Sequence, residues 1–511
     1  MFGLAGEEDL NIGYGTFGPV TLPDGSSANL NKIGIHSLLG DGYVAAANFA
    51  GADVGAKIAA AIAVLPAAGG IVDARGLTGT LSTGFTVPAN VTVLLGAGTY
   101  TSSATVTLTL GSAGASGRVS GSGVETKYDY TGSGHAFEIS GTGQTSTGVE
   151  VSNMVLQGTS SGLSGLHLKA FNGGTFGGLQ IYGFSTGAGV LNEGANHVTF
   201  FAPDIYNNLY GIRNVGTTVS STPYAANAVR VYGGTIRNNT GWGILEDGTG
   251  SGGGVGPNYN NVYNGVVLEF NGVNASTTTG NVFIQYGYSI KLVDCYLEYG
   301  GGIVPTQNVV IGDGTYAPIG VVVRENAFLS STATTTVSNV NGQSTSVMGN
   351  LETGAVTNFL LNGSAARGLT QLRNRAAAAT NLFAGSDNGA DSWIFETTAY
   401  TGTQVNGMAT TTTGLGINQI RGLNQDLVIR ARSGGTNIVT FDASDGTDRI
   451  IISDAGVVTI GGGVTIQSGS GTPEGAITAV VGSLYMRTNG GAGTSLYVKE
   501  SGSGNTGWRG I

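Results

Sequence analysis

The sequence predicts an all-β chain whose middle part is a solenoid, wound in coils of a little over twenty residues. Three observations carry this. Glycine supplies 91 of the 511 residues and charged residues only 10%, against usual shares of about 7% and about 25%. Glycine at that level without a collagen triplet, among many Thr, Ser, Asn, Val and Ile, points to tight turns between short strands. Disorder would not supply 40% hydrophobic residues. Second, a Gly before an aliphatic residue recurs at Gly165-Leu166, Gly189-Val190, Gly211-Ile212, Gly243-Ile244 and Gly265-Val266, in steps of 24, 22, 32 and 22. Three of the four steps fit one coil, and the long one contains Thr217 to Asn227, a natural loop insertion. Third, short runs such as Leu179-Gln180-Ile181, Val198-Thr199-Phe200, Val229-Arg230-Val231 and Ile290-Lys291-Leu292 alternate, with the apolar side chains inward. A β-sandwich would set turn signals roughly every 8–12 residues and would leave no repeat in the low twenties.

Taken in order, residues 1–50 are glycine-rich, with a strand expected over Thr16 to Leu22, turn chemistry at Pro23-Asp24-Gly25, and Ile33, Ile35, Leu38 and Leu39 as the apolar content. Such a segment suits an attachment arm that docks on another protein, or a partly ordered leader. Asp53 then offers an N-cap carboxylate, and Val54, Ile58, Ile62 and Leu65 share one face of a short helix ended by Pro66 and Gly69-Gly70. An alanine-rich helix of this size covers the open end of a strand assembly, where bare edges would pair with other chains. After it come short β-rich runs at Ile71 to Ala74, Phe85 to Val87 and Val91 to Leu95.

The order of helix, GGIVDARG and VPANVTVLLGAGTY over Gly51 to Tyr100 resembles the entry to the right-handed parallel β-helix of phage tailspikes and pectate-lyase-like proteins. The resemblance implies a capping helix and parallel β-helix over 51–365. It also implies a virion-attachment role for 1–50, a homotrimer, and a host surface polysaccharide as partner. It supplies no motif that assigns catalytic residues. In the expected coils Asn192 and Asn214 sit three residues past their glycines, as rungs of an asparagine ladder, and Glu246 has the same offset.

From 366 the texture changes. Arg367, Arg373, Arg375 and Ala376 to Ala379 suggest a junction, helical in character, opening a β-rich stalk or trimerisation region over 366–461. Strands are expected at Asp426 to Arg430, Ile438 to Phe441, Arg449 to Ser453 and Val457 to Ile460. The segment Thr436 to Gly461 resembles units near the distal ends of phage tail fibres, where three chains intertwine. Asp442, Asp445 and Asp448 read as turn chemistry, without EF-hand spacing. A small β module closes the chain at 462–511, with a hairpin of Ser483 to Arg487 and Ser495 to Glu500 about Asn489-Gly490-Gly491. Leu484, Tyr485, Leu496, Tyr497 and Trp508 are too few for a private core, so burial by two further copies is expected.

The formal charge of −10 argues against nucleic acid and anionic membrane surfaces as partners, since both demand clustered positive charge. It leaves neutral or cationic glycans open. Cys295 is the one cysteine, so no intrachain disulfide is expected. Glu7, Glu8 and Asp9 are unlike a secretory n-region, and the apolar run Ile58 to Ala68 is too short for membrane insertion. The expectation is assembly in the host cytoplasm and residence in the virion tail after release by another route, such as lysis.

No cofactor or metal is indicated: His36, His135, His167 and His197 are scattered without zinc-like spacing, and Gly-x-Gly strings are too common here to mean a dinucleotide site. Glycan chemistry remains, which needs two carboxylates about 5–5.5 Å apart for retention or about 6.5–9.5 Å for inversion. The favoured band is 204–270, with catalytic candidates Asp204, Glu246, Asp247 and Glu269 and glycan-stacking candidates Tyr206, Tyr210, Tyr224, Trp242 and Tyr259. Coils about 4.8 Å apart would bring Glu246 within reach of a carboxylate one or two coils away. The plainer alternative is solvated strand ends and packing tyrosines.

Overall fold

The computed structural model describes residues 20–21, 27–28, 42–385 apart from 111–116, 142, 144–145, 249–255, 273–278, 300–306, 331–334, 355, 357, 364, 368, 373 and 377–380, and 437–511 apart from 443–447, 454–456 and 462. The chain forms two compact units, Met1–Gln404 and Val405–Ile511.

The first unit is a right-handed parallel β-helix. Of the leader, Val20–Thr21 pairs antiparallel with Ser27–Ala28; Ile33, Ile35, Leu38 and Leu39 lie outside the described residues. The capping helix runs Val54–Ala63. Asp53 accepts from the Ala56 N–H at 2.9 Å as its N-cap, and from Ser82 Oγ at 2.6 Å and Thr83 Oγ1 at 2.8 Å. One carboxylate thus both starts the helix and ties it to the first coil. Burial alone would raise the Asp53 pKa; the donors outweigh it and hold the carboxyl at about 2.

Each coil contributes a strand to three faces in turn. The third-face strands form a parallel 12-stranded sheet from Thr86–Val87 to Asn381–Gly385. Strands of the first and second faces merge into one sheet of 23, because Ser146–Gln157 and Asn172–Tyr182 run unbroken round the corner between them. Elsewhere that corner is a single residue in the left-handed region. Ala202, Gly233, Gly265, Asp294 and Glu325 follow one another there with φ from 45° to 65°. Glycine meets no Cβ penalty in that conformation.

This corner explains one misleading repeat. Leu166, Val190, Ile212 and Ile244 pair in register on the third face, as their glycine spacing suggests. Gly265-Val266 belongs to the corner series instead, and Ile244 pairs with Val282, 38 residues further on. The inward alternation holds throughout: Leu179, Ile181, Val198, Phe200, Val229, Val231, Ile290 and Leu292 are all buried. Each such side chain contributes at most about 1.5–3 kcal/mol of burial. Asparagine ladders close the corners. Asn208, Asn239 and Asn271 are linked at 3.1 and 2.8 Å, and Asn326, Asn350 and Asn374 at 3.0 and 2.9 Å. Cys295 is buried beside the Asp294 corner.

The helical junction expected after 366 is not what forms in its described part. Arg375–Ala376 is a strand on Leu351–Glu352, and Asn381–Gly385 pairs with Asn358–Asn362. An exposed coil edge satisfies the backbone of whatever follows it, which outweighs the helix propensity of a short alanine run.

The second unit is a 7-stranded sheet built from Asn437–Asp442, Asp448–Ser453, Val458–Ile460, Val464–Gly469, Leu484–Arg487, Leu496–Lys499 and Trp508–Gly510. The expected hairpin is present, with Leu484 opposite Val498; Asp426 to Arg430 and Asp445 lie outside the described residues. Contrary to expectation, Tyr485, Tyr497 and Trp508 are buried within the single chain, together with Ala479. The preceding segment folds over them: Glu474 accepts the Gly507 and Trp508 N–H groups at 2.9 and 2.7 Å, and Trp508 Nε1 donates to the Ile477 carbonyl at 2.8 Å. Lys499 is fully buried, its Nζ 5.8 Å from the Trp508 ring centroid. On the opposite face, among the described residues, Ile460, Met486 and Leu496 are exposed.

Candidate functional site

Strand alternation distributes the nine expected site residues over different surfaces. Glu246 follows Ile244 and Leu245 on the third face and therefore points inward. It continues the expected ladder: Asn192 Nδ2 donates to Asn214 Oδ1 at 3.1 Å, and Asn214 Nδ2 to Glu246 Oε1 at 3.2 Å. Tyr263 OH at 2.6 Å, Asn258 Nδ2 at 2.8 Å and Asn261 Nδ2 at 3.0 Å complete a shell made of donors. Glu246 is 0% exposed, and burial pushes its pKa up against those hydrogen bonds. A carboxylate sealed inside the coils cannot meet an external polysaccharide, so the expected catalytic role is replaced by a structural one.

Asp247, next along, points outward but is held by Arg213 Nη2 at 2.7 Å. The Arg213 guanidinium also lies 5.5 Å from the Tyr210 ring centroid. Trp242 is only 6% exposed; it packs with Leu245 and Val310 and lies 5.0 Å from the Phe283 ring. This is a small hydrophobic cluster on the outside of the third face, with no free indole surface for a sugar. Tyr224 ends a hairpin, Thr217–Val219 with Thr222–Tyr224, inside the expected insertion. Its Cβ sits 2.7 Å from where a Cβ on Gly194 would stand, so the hairpin packs on that turn.

Asp204, Tyr206 and Glu269 do share a surface, the outside of the second face. Gln157, Tyr182, Tyr206, Arg237, Glu269 and Glu298 form one register column on successive coils. The Tyr182 and Tyr206 rings stack at 4.7 Å and 12°, and the Arg237 guanidinium lies 4.3 Å from the Tyr206 centroid. Arg237 Nη2 reaches Asp204 Oδ2 at 3.3 Å, and Gln180 Nε2 donates to the same oxygen at 2.9 Å. Burial raises the Tyr182 and Tyr206 pKa values. Tyr296 donates to Glu298 at 2.9 Å; burial and that carboxylate push its pKa up to about 12. Asp204 and Glu269 are two coils and two residues apart, about 12 Å between Cα atoms from the standard spacings. Arg237 stands between them, an arrangement suited to holding a ligand rather than to concerted acid–base attack.

Tyr259 lies elsewhere, at the corner leading from the third face back to the first. There Asn258–Tyr259 pairs with Gly287–Tyr288. Two features escaped the sequence reading. Tyr286, Tyr288 and Tyr316 join Tyr259 at this corner. On the third face the imidazoles of His135 and His167, one coil apart, stack at 4.0 Å. His167 Nε2 is 3.0 Å from Glu193 Oε2 and His135 Nδ1 is 2.7 Å from Ser164 Oγ. Burial first, then the His167 and Lys169 charges, lower the His135 pKa to about 4 against the pull of Glu193. The two are 32 residues apart, longer than the repeat in the low twenties, so that repeat does not reveal the pair.

No protein-family model matches the chain, and no curated protein matches it. Among solved structures it is similar to ORF18 of Geobacillus virus E2, at 16% identity and TM-score 0.47, covering 94% of this chain and 87% of that one. It is similar to the Dettilon tailspike protein at 12% identity and TM-score 0.41, covering 67% and 71%. It is similar to pectate lyase Pel9A at 15% identity and TM-score 0.35, covering 58% and 72%.

Proposed function

We propose that the chain is a phage tailspike or tail fibre protein that binds a host surface polysaccharide along the second face of its β-helix and works as a homotrimer. The column Tyr182–Tyr206–Arg237–Glu269 carries the binding role. It sets one aromatic or charged side chain per coil, about 4.8 Å apart, on a frame whose strands are already paired. A straight, repeating surface suits a straight, repeating ligand. Side chains fixed beforehand by stacking and hydrogen bonds lose little entropy when they engage sugar hydroxyls. In this reading residues 1–50 dock on virion tail or capsid proteins, and the chain takes part in neither nucleic-acid binding nor membrane insertion.

Self-association is supported by the open face of the second unit. Ile460, Met486, Leu496 and Ile511 are 40%, 47%, 36% and 65% exposed. Register places Ile460 opposite Val464, Ile466 beside Leu484, and Met486 opposite Leu496, all on that one face. A contiguous aliphatic sheet face of this kind marks an interaction surface. Arg509, opposite Val498 on the same face, is paired with Glu500 at 3.3 Å, and the aliphatic remainder suits a second copy of itself.

A second reading, cleavage of the same polysaccharide, is favoured by one observation. Glu269 and Glu298 are in register on adjacent coils, whose strands lie about 4.8 Å apart, which sets two carboxylates side by side on one face as a glycosidase pair requires.

Isolated bacterial surface polysaccharides incubated with the purified chain test both readings. Binding weakened about tenfold or more by Arg237→Ala, with polymer length unchanged on size exclusion, is the expected result. Binding indifferent to Arg237→Ala would overturn the assignment to this face. Shortened polymer that persists intact with Glu269→Gln would favour cleavage. Light scattering should return three times the mass of one chain, and a monomer would refute the trimer.

A further inference from the structure

We infer that the corner built by Tyr259, Tyr286, Tyr288 and Tyr316 is a second saccharide site, separate from the second-face column and specific for uncharged sugars. The inference rests on the polysaccharide-binding reading above and assigns a different surface to it.

The geometry comes from three successive coils. Tyr259 and Tyr288 sit on paired strands, with ring centroids 5.3 Å apart and planes at 87°. Tyr286 stands at 87° to Tyr288 as well, 6.0 Å away. Tyr316 packs on Tyr286 at 4.9 Å and 33°. Perpendicular rings form notches with one flat wall and one edge wall. A pyranose has a matching shape, with a C–H face to lie on one ring and a hydroxyl rim to meet the neighbouring phenol.

The notch is held in place before any ligand arrives. Asp313 accepts the Thr315 and Tyr316 N–H groups at 2.7 and 2.8 Å, and Gln285 Nε2 at 2.9 Å. It thereby fixes the Tyr316 loop to the residue beside Tyr286. The Tyr286 and Tyr288 rings are half-buried, while Tyr259 and Tyr316 are 43% and 36% exposed. Tyrosine brings large contact area with few rotors to freeze.

The specificity follows from charge. Asp313 accepts from the loop through Oδ1 and from Gln285 through Oδ2, and Arg230 turns its Nη1 onto the Val229 and Asn260 carbonyls. The ionisable neighbours that perturb Tyr286 are the other three tyrosines. An anionic sugar would meet the exposed Asp313 carboxylate beside Tyr316, whereas the second-face column offers Arg237.

The test is an array of uncharged and anionic oligosaccharides probed with the full chain and with the double variant Tyr259→Ala/Tyr316→Ala, chosen at the two exposed positions. The expected result is wild-type signal on uncharged glycans that falls about tenfold or more in the double variant, with anionic signal unchanged. Circular dichroism checks that the variant is folded. If it is not, nitration of tyrosines read by mass spectrometry on the wild type replaces it. Protection of Tyr259 and Tyr316 by an uncharged glycan that scores on the array supports the inference, and equal nitration overturns it. Uncharged-glycan binding that survives the double variant overturns the inference alone. A wild-type chain that binds no glycan removes the polysaccharide reading and this site together.

Discussion

Replacing Asn239 tests the ladder that closes the corner between the second and third faces. Asn239 is 0% exposed. Its Oδ1 accepts the Asn208 backbone N–H and Nδ2, both at 3.1 Å. Its Nδ2 donates to Asn271 Oδ1 at 2.8 Å and faces the Ile205 carbonyl at 3.4 Å. Asn239→Ala strands the Asn208 N–H, at about 1–3 kcal/mol, and leaves a small void, for a total of about 2–4 kcal/mol. Asn239→Asp keeps the shape but turns an anionic oxygen toward two acceptors, a cost of about 3–5 kcal/mol. At about 2.1 cal/mol/K per residue over roughly 340 coil residues, 1 kcal/mol shifts Tm by about 1.4 °C. The alanine variant should therefore melt about 3–6 °C low. The aspartate variant should melt lower still at pH 7, followed by circular dichroism at one scan rate. The buried aspartyl pKa would be raised, so the folded state binds the extra proton and the variant loses stability as pH rises through that window. Relative to Asn239→Ala, its deficit must shrink on acidification. An aspartate variant as stable as the alanine variant at pH 7, or a deficit indifferent to pH, would refute the ladder argument.

Two further outcomes follow from titrating groups. Asp53→Ala should cost about 1 kcal/mol through the lost cap. Because the native carboxyl is held at about 2, its contribution is present above the unfolded value and fades as pH falls from about 4 to about 2; the Tm of Asp53→Asn should fall less steeply than that of the wild type over that window. His135, lowered to about 4, is bound by Ser164 and faced by His167, Glu193 and Lys169. The unfolded chain takes its proton first, so stability should fall by up to about 3 kcal/mol as pH drops from about 6.5 to about 4. His135→Gln should remove most of that slope in Tm against pH, and an unchanged slope would count against it.

The winding, the cap and the ladder were legible because each depends on local spacing. Asn192, Asn214 and Glu246 share an offset from their glycines, and that offset alone reveals which way they point. Applied to the end, the same logic would have removed Glu246 from the catalytic candidates, since a residue in register with two inward asparagines faces inward too. The surfaces were harder to read. Coil length varies, so Tyr206, Tyr210 and Tyr259 look like neighbours in sequence yet stand on different sides. His135 and His167 look unrelated and yet touch. In the second unit, aromatic residues drew attention to the wrong side of the sheet. Tyr485, Tyr497 and Trp508 are covered by their own chain, and the plainer Met486 and Leu496 are the ones left open.

The third-face ladder keeps its register from Asn192 to Asn214 across 22 residues and from Ile244 to Val282 across 38. The length of chain between paired strands varies, and the register of the interior does not. A lineage built on such a stem can rewrite its outer surface one turn at a time, and inherit the stem unaltered.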